Sequence, residues 1–147
     1  MAVLRIPKDS LKKIMDGKTN ITEPTACVVK FYSNNCHLCH ALSSYYIDIS
    51  NQEQYENIHF YAYNIDGDPQ IAEKLGLNGV PSIALYNVAP NRKPKLILLD
   101  DPERPNQETW YTVKDITNFI EDNLQLDHSR AARRKRRRQQ RKERIKG

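Results

Sequence analysis

The chain lacks the long apolar segments that membrane-spanning and exported proteins carry. It contains no run of about 18 apolar residues, so no segment is long enough to cross a bilayer as a helix, and we expect no membrane insertion. Residues 1–14 contain no apolar stretch of signal-peptide length, so we expect a cytoplasmic protein, in which a disulfide is more often transient than structural. No internal repeat is visible. At 147 residues the chain has room for one domain with a real core, not two.

The charge of the chain is distributed unevenly. The net charge of +5 combines two opposite parts. Residues 1–127 carry 12 Lys/Arg and 17 Asp/Glu, a balance of −5, whereas residues 128–147 carry 11 Lys/Arg and one acid, a balance of +10. We therefore predict an acidic folded domain over residues 1–126 and a basic, Arg-rich, disordered tail over residues 127–147.

Hydrophobic periodicity and helix-capping residues predict helices and strands in alternation. The predicted order is helix 9–17, strand 25–32, helix 36–49, strand 58–65, helix 68–76, strands 82–86 and 95–99, and helix 113–124, with a weaker edge strand over residues 2–6. Strands alternate with helices until two adjacent strands form a hairpin. This order predicts an α/β domain with a mixed central sheet flanked by helices.

Three local features place a pair of cysteines in a recognisable setting. A hydrophobic strand ending in Val29-Lys30-Phe31-Tyr32 runs into the predicted helix that begins Cys36-His37-Leu38-Cys39. Asn64-Ile65-Asp66 closes the next strand, and Gly79-Val80-Pro81-Ser82 precedes another strand about 40 residues beyond the cysteines. Together these features resemble the thioredoxin family over residues 3–125, although a Cys-x-x-Cys pair alone would be weak evidence. The resemblance implies a thioredoxin-like fold and a redox-active disulfide between the two cysteines, with no other cofactor.

The two cysteines suit thiol–disulfide exchange, which needs one thiolate that attacks and a second thiol that resolves the mixed disulfide. Cys36 would lie at the helix N-terminus, where unpaired N–H groups and the helix dipole stabilise a negative charge, so we expect it to be the exposed nucleophile. Cys39, one turn into the helix, would be the more buried resolving thiol. The expected function is therefore that of a thiol–disulfide oxidoreductase, with protein disulfides or dithiols as its substrates.

Residues close to the cysteines are expected to tune their chemistry or to bind substrate. His37 and Leu38 stand between the cysteines, where the family commonly has Gly-Pro or Gly-His. A protonated imidazole at His37 or His40 would favour a thiolate, and the alternative is that these histidines lie on the exposed helix surface. The resemblance implies that Pro81 follows a cis peptide bond and faces the cysteines, with Val80 offering its backbone to an extended substrate. The alternative is a trans-proline that begins an edge strand.

Two departures from the family pattern bear on the activity. Asn35 directly precedes the first cysteine, where family members commonly have Trp. Lys30 occupies the position, six residues before the first cysteine, at which many members have a buried acid that assists proton transfer to the resolving thiol. Lys30 would favour a thiolate if it points under the motif, and would otherwise reach from the strand to solvent. The departures favour one alternative, a thioredoxin-like module that has kept the motif but only binds a partner.

Other chemistries of the cysteines and histidines are less favoured. The segment 36–40 matches the Cys-x-x-Cys-His pattern of c-type haem attachment, but that attachment usually needs export. A structural zinc site needs a fourth ligand, and His59 and His128 are isolated in the sequence. We therefore expect no metal site. Cys27 falls in a predicted buried strand, where a free cysteine behaves as a small hydrophobic residue.

The predicted tail contains an unbroken basic run. Its members are Arg133, Arg134, Lys135, Arg136, Arg137 and Arg138. Such a run attracts polyanions, with nucleic acid as the leading candidate, ahead of an acidic protein surface and an anionic membrane. No aromatic residues are interleaved for base stacking, so no base-sequence preference is expected. The non-catalytic module would then dock in a nucleic-acid-associated assembly, such as a viral particle, and the remaining alternatives are a solubility tail and a nuclear-import signal.

Overall fold

A computed structural model describes residues 3–19, 22–90 and 92–124. The elements are β1 (Leu4–Arg5), α1 (Lys8–Asp16), β2 (Thr25–Tyr32), α2 (His37–Ser50), β3 (His59–Asn64), α3 (Ile71–Leu75), β4 (Ser82–Val88), β5 (Leu96–Leu98) and α4 (Val113–Asn123). Five strands form one mixed sheet in the order β1-β3-β2-β4-β5, in which β1, β3 and β2 are parallel and β4 and β5 run antiparallel to their neighbours. This arrangement confirms the predicted thioredoxin-like α/β fold, including the weakly indicated edge strand.

The central strand β2 is buried on both faces and divides the core into two halves. Ala26 and Val28 face α2 and α4, and this half contains Leu42, Tyr46, Ile49, Ile116 and Ile120. Cys27 and Val29 face the opposite way, and this half contains Leu11, Ile14, Ile71, Tyr63 and Tyr86. Both faces of the sheet are covered at this strand, so apolar residues occupy nearly every position of β2 and not only every second one.

One row of residues across the sheet lies on the α2 side and positions the site. Arg5 of β1 pairs with Ala62 of β3, Ala62 pairs with Lys30 of β2, and Lys30 pairs with Ile83 of β4. Residues in register on neighbouring strands project from the same face of a sheet. Lys30 therefore continues the inward-facing series that contains Ala26 and Val28, and its side chain enters the layer between the sheet and α2.

The predicted helix over residues 68–76 is shorter in the structure. It begins at Ile71 with Gln70 as its N-cap residue. The Asp68 side chain does not cap it, because its carboxylate accepts a hydrogen bond from the Tyr63 hydroxyl at 2.8 Å. The helix closes on Gly76 with φ +74°, as α1 closes on Gly17 with φ +70°. Both glycines adopt the left-handed conformation that ends helices at low cost only for glycine.

The longest described helix, α2, spans 14 residues, and none of the helices in the described part of the chain is long and apolar enough to cross a membrane.

The last described element, α4, begins with a capping box in which Thr112 and Asp115 each accept from the other's backbone N–H. The predicted basic tail, residues 127–147, lies outside the described residues, and the predicted boundary at residue 126 stays a prediction.

Candidate functional site

The site begins with the turn that leads from β2 into α2, which three polar contacts hold in place. The backbone N–H of Asn34 donates to Asp66 Oδ2 at 2.8 Å, and Asn64 Nδ2 donates to Asn34 Oδ1 at 2.8 Å. His40 Nε2 donates to the Asn34 carbonyl oxygen at 2.9 Å, since a carbonyl can only accept. Asn64 ends β3, the strand beside β2, and Asp66 lies in the turn after it, so the end of the sheet fixes the turn that presents the cysteines. His40 therefore has a visible role in anchoring this turn.

The cysteine pair lies at the first turn of α2. Cys36 is the N-cap residue, and its Sγ accepts a hydrogen bond from the backbone N–H of Cys39 at 3.1 Å. The two residues form a disulfide, with their Cα atoms 5.3 Å apart. Cys36 is partly exposed, whereas Cys39 is only 1% exposed. The free N–H groups and the dipole of a helix N-terminus stabilise a thiolate at the capping position, so the geometry suits Cys36 as the attacking sulfur.

The loop that leads into β4 meets the disulfide. The Val80–Pro81 peptide bond is cis, and the Val80 carbonyl oxygen lies 3.7 Å from Cys36 Sγ. In the disulfide this sulfur carries no hydrogen, so the approach is a contact, and only the reduced thiol can donate across it. Ser82 Oγ donates to the Gly79 carbonyl oxygen at 2.6 Å and closes the loop. The structure thus brings Val80 and Pro81 beside the cysteines.

Lys30 lies beneath the first turns of α2 and does not reach to solvent. Lys30 is 4% exposed, and its Nζ donates to Ser43 Oγ at 2.8 Å. Ser43 Oγ in turn donates to the Cys39 carbonyl oxygen at 3.1 Å. Nζ also lies 5.4 Å from the ring centroid of Tyr46 and 5.7 Å from that of Tyr32. Burial, with a smaller contribution from the positive charge of Arg5, lowers the pKa of Lys30 to about 8.

The remaining residues singled out in the sequence take separate places. His37 is exposed on the outer surface of α2, and Leu38 is half-buried beside it. Cys27 is buried on the opposite face of the sheet from the disulfide, and burial raises the pKa of its thiol to about 12. His59 stacks on Tyr61, with ring centroids 6.1 Å apart. Across the described ranges, no group of three or more His, Cys, Asp or Glu side chains is placed to hold a metal ion.

Two sets of contacts at the site were missed by the sequence analysis. Ser43, which connects Lys30 to Cys39, follows Cys39 by one helical turn, and this spacing could have marked it as a neighbour of the resolving thiol. The Asn34, Asn64 and Asp66 contacts join segments 30 residues apart in sequence, and no local signal indicates them. The basic run 133–138 lies outside the described residues.

Comparison with known proteins is consistent with this geometry. No curated protein sequence matches the chain. Among solved structures, the thioredoxin of Malassezia sympodialis is 18% identical, with a TM-score of 0.55 over 82% of this chain and 90% of that one. The Trx4 domain of ERdj5 is 16% identical, with a TM-score of 0.60 over 85% of this chain and 97% of that one. Chloroplastic thioredoxin z is 15% identical, with a TM-score of 0.57 over 83% and 94% of the two chains.

These likenesses to solved structures are too low in identity to show more than the fold. A match at the level of sequence shows more than the fold: the model of the thioredoxin family matches residues 13–97. This stretch exceeds half of the chain and contains both cysteines of the disulfide as well as the cis-proline. On that match, and on the fold that carries it, the chain belongs to the thioredoxin family.

Proposed function

We propose that the domain is a thiol–disulfide oxidoreductase in which Cys36 attacks and Cys39 resolves. The observation that carries the proposal is the Cys36–Cys39 disulfide at the helix N-terminus, in which Cys36 is partly exposed and Cys39 is enclosed. A purely structural disulfide would gain nothing from an accessible sulfur at a site that favours its thiolate. A thioredoxin fold with a Cys-x-x-Cys disulfide supports protein thiols and disulfides as the substrate class.

The proposed reaction has two exchanges. In the reduced protein the Cys36 thiolate attacks one sulfur of a substrate disulfide, the substrate S–S bond breaks, and one substrate thiolate leaves. The Cys39 thiol then loses its proton to solvent and attacks Cys36 Sγ, which breaks the mixed disulfide and releases the second substrate thiolate. The substrate gains two electrons, and the cysteine pair loses two. In the opposite direction the same steps oxidise a substrate dithiol.

The surroundings of Cys36 suit an extended substrate chain. The Val80 backbone lies beside the sulfur, and its carbonyl oxygen is 3.7 Å from Cys36 Sγ. Asn35, which stands where the family commonly has Trp, is exposed and presents an amide rather than a ring. We therefore propose that substrates are recognised through backbone contacts at Val80, with less apolar contact before the first cysteine.

A disulfide-reduction assay tests this function. The protein should accelerate the reduction of a disulfide-bonded protein by dithiothreitol, and Cys36→Ser should abolish the acceleration. Cys39→Ser should instead accumulate a mixed disulfide through Cys36, visible by non-reducing electrophoresis and mass spectrometry. Cys27→Ala, which removes a thiol on the other face of the sheet, is the matched control and should retain activity. Acceleration that survives Cys36→Ser, or none in the unaltered protein, would contradict the proposal.

We also propose that residues 127–147 bind nucleic acid through their charge. The support comes from the sequence, in which the last 20 residues carry 11 Lys/Arg and one acid, while the preceding part has a balance of −5. Fluorescence anisotropy with labelled DNA and RNA tests this on the full chain and on a chain ending at residue 126, which keeps every described element. Equal binding by both forms would show that the tail is not the site. If neither form binds, the tail does not bind nucleic acid.

A further inference from the structure

Lys30 is unusual because its charged ammonium group is buried. Within the described residues, no carboxylate lies within 4 Å of its Nζ, and the ion pair found there joins Lys8 to Asp68. Its polar contact is the neutral hydroxyl of Ser43, and the two aromatic rings near it, those of Tyr32 and Tyr46, supply only weak attraction. A buried ammonium without an anionic partner is costly in a folded protein. Among the described residues, the oxidised state therefore offers this cation no carboxylate within ion-pair distance.

The groups around Lys30 indicate which of them can become its anionic partner. The neighbours that are charged or titratable are Arg5 from β1, Tyr32 from its own strand, and Tyr46 and Cys39 from α2. The residues beside Lys30 on β3 and β4 are Ala62 and Ile83, which do not titrate. Arg5 is a cation and repels Lys30. The Tyr46 hydroxyl is engaged with the Val28 and Tyr61 carbonyl oxygens, and burial raises its pKa well above the ordinary value. Cys39 remains among these neighbours. Thiol exchange requires it to lose a proton, so it becomes an anion during the reaction.

The hydrogen bonds aim the charge at that residue. The bonds from Lys30 to Ser43 and from Ser43 to the Cys39 carbonyl place Nζ within about 6 Å of the main chain of Cys39, in the helical turn that holds the disulfide. Opposite charges held this close in a protein interior shift pKa values appreciably. Cys39 is enclosed, so little water screens the interaction. When Cys39 becomes a thiolate, the buried cation and the new anion compensate one another.

We propose that Lys30 is a positioning residue for the resolving step: through Ser43 its ammonium is held beneath Cys39, where it stabilises the thiolate that attacks the mixed disulfide. This inference rests on the proposed oxidoreductase function. In the step the Cys39 S–H bond breaks and its proton passes to solvent. The Cys39–Cys36 S–S bond forms, and the bond between Cys36 and the substrate sulfur breaks, its electron pair leaving with that sulfur. Lys30 neither gives nor takes a proton in this step.

A pH-jump experiment isolates this step. The full chain, with Cys27→Ala to remove the third thiol, is loaded at pH 4 with the 2-pyridyl disulfide of glutathione, which forms a mixed disulfide on Cys36. Transfer to a series of higher pH values lets Cys39 attack, and release of glutathione is followed by acid quench and chromatography. The release is unimolecular, and its rate should rise with pH at a midpoint that belongs to the coupled Cys39–Lys30 pair.

Variants of Lys30 and Ser43 test whether the charge of Lys30 sets this midpoint. Lys30→Met, which keeps an unbranched side chain one heavy atom shorter and removes the charge, should raise the midpoint by about one pH unit or more. It should slow release about tenfold at pH values below both midpoints. Lys30→Arg should keep the midpoint near that of the parent. Ser43→Ala keeps the charge but removes the oxygen that fixes it, so it should move the midpoint in the same direction as Lys30→Met. Lys74→Met, at an exposed lysine of α3, is the control and should change nothing.

The outcomes separate the two claims. If the parent releases glutathione and Lys30→Met has the same midpoint, Lys30 does not act on Cys39 and this inference is wrong, while the oxidoreductase function stands. If Lys30→Arg shifts the midpoint as far as Lys30→Met does, the effect follows from packing and not from charge, which also overturns the inference. If the parent releases no glutathione at any pH, Cys39 does not resolve, and the proposed function fails together with the inference.

Discussion

Replacing Lys30 by methionine should make the oxidised protein more stable. The pKa of this ammonium falls from 10.5 to about 8 because burial disfavours its charge. Each unit of difference between the folded and unfolded pKa corresponds to about 1.4 kcal/mol, so the buried charge costs roughly 3 kcal/mol at neutral pH. Methionine fills a similar volume without a charge, and replacement of buried ions by apolar residues is often stabilising. We expect Lys30→Met to raise the free energy of unfolding at pH 7 by roughly 2–3 kcal/mol.

The pH dependence of this gain tests its origin. Between pH 8 and 10.5 the unfolded chain holds the Lys30 proton more firmly than the folded protein does, so the unfolded state binds more protons. The stability of the parent protein therefore rises relative to that of Lys30→Met as the pH increases through this window. The advantage of the variant should be full at pH 7 and should shrink toward the packing difference alone by pH 10.5. Buried tyrosines titrate alike in both proteins, so they cancel in the comparison.

Urea unfolding of the oxidised proteins at several pH values measures these differences, with Cys27→Ala in every variant so that no free thiol exchanges with the disulfide. Lys74→Met, at an exposed lysine, should lie within about 0.5 kcal/mol of the parent at every pH. A gain that stays constant from pH 7 to 10.5 would show that packing and not charge burial is responsible. A loss of stability at pH 7 would show that the rings and Ser43 compensate the ammonium fully, contrary to our reasoning.

Three further predictions concern other parts of the molecule. In the reduced protein Cys36 should alkylate at least about tenfold faster than either other cysteine at neutral pH, because it alone combines exposure with a helix N-terminus; peptide mapping after brief iodoacetamide treatment checks this. Gly76→Ala should cost about 1 kcal/mol for its left-handed conformation, whereas Gly17→Ala should cost clearly more, because its Cβ would lie 2.5 Å from the Arg92 carbonyl oxygen. Equal losses in urea unfolding would contradict that contact. Nucleic-acid binding by residues 127–147 should weaken with salt by about 0.7–0.9 log units per log unit of salt for each phosphate contact, and salt-independent binding would exclude a charge-driven mode.

Much of the fold could be predicted from local patterns. The strand Thr25–Tyr32 was predicted with the same bounds because it is β-branched, apolar and closed by polar turn residues at Ser33 and Asn34. The start of α2 and the order of the strands also followed from local signals. The helix predicted over residues 68–76 was too long. The Asp68 carboxylate accepts a hydrogen bond from the Tyr63 hydroxyl and does not cap the helix, and this partner is not apparent from the helix signal.

The chemistry of the site divides in the same way. The sequence alone determined that two cysteines lie one helical turn apart at a helix N-terminus, because their spacing and the preceding strand are local properties. Only the tertiary structure decided where Lys30 points: an apolar strand covered on both faces does not reveal which face holds a given side chain. It also decided that His40 anchors the turn at Asn34, and that Ser43 connects the buried ammonium to Cys39. These contacts depend on strand register and helix packing, which bring together residues that no local pattern associates.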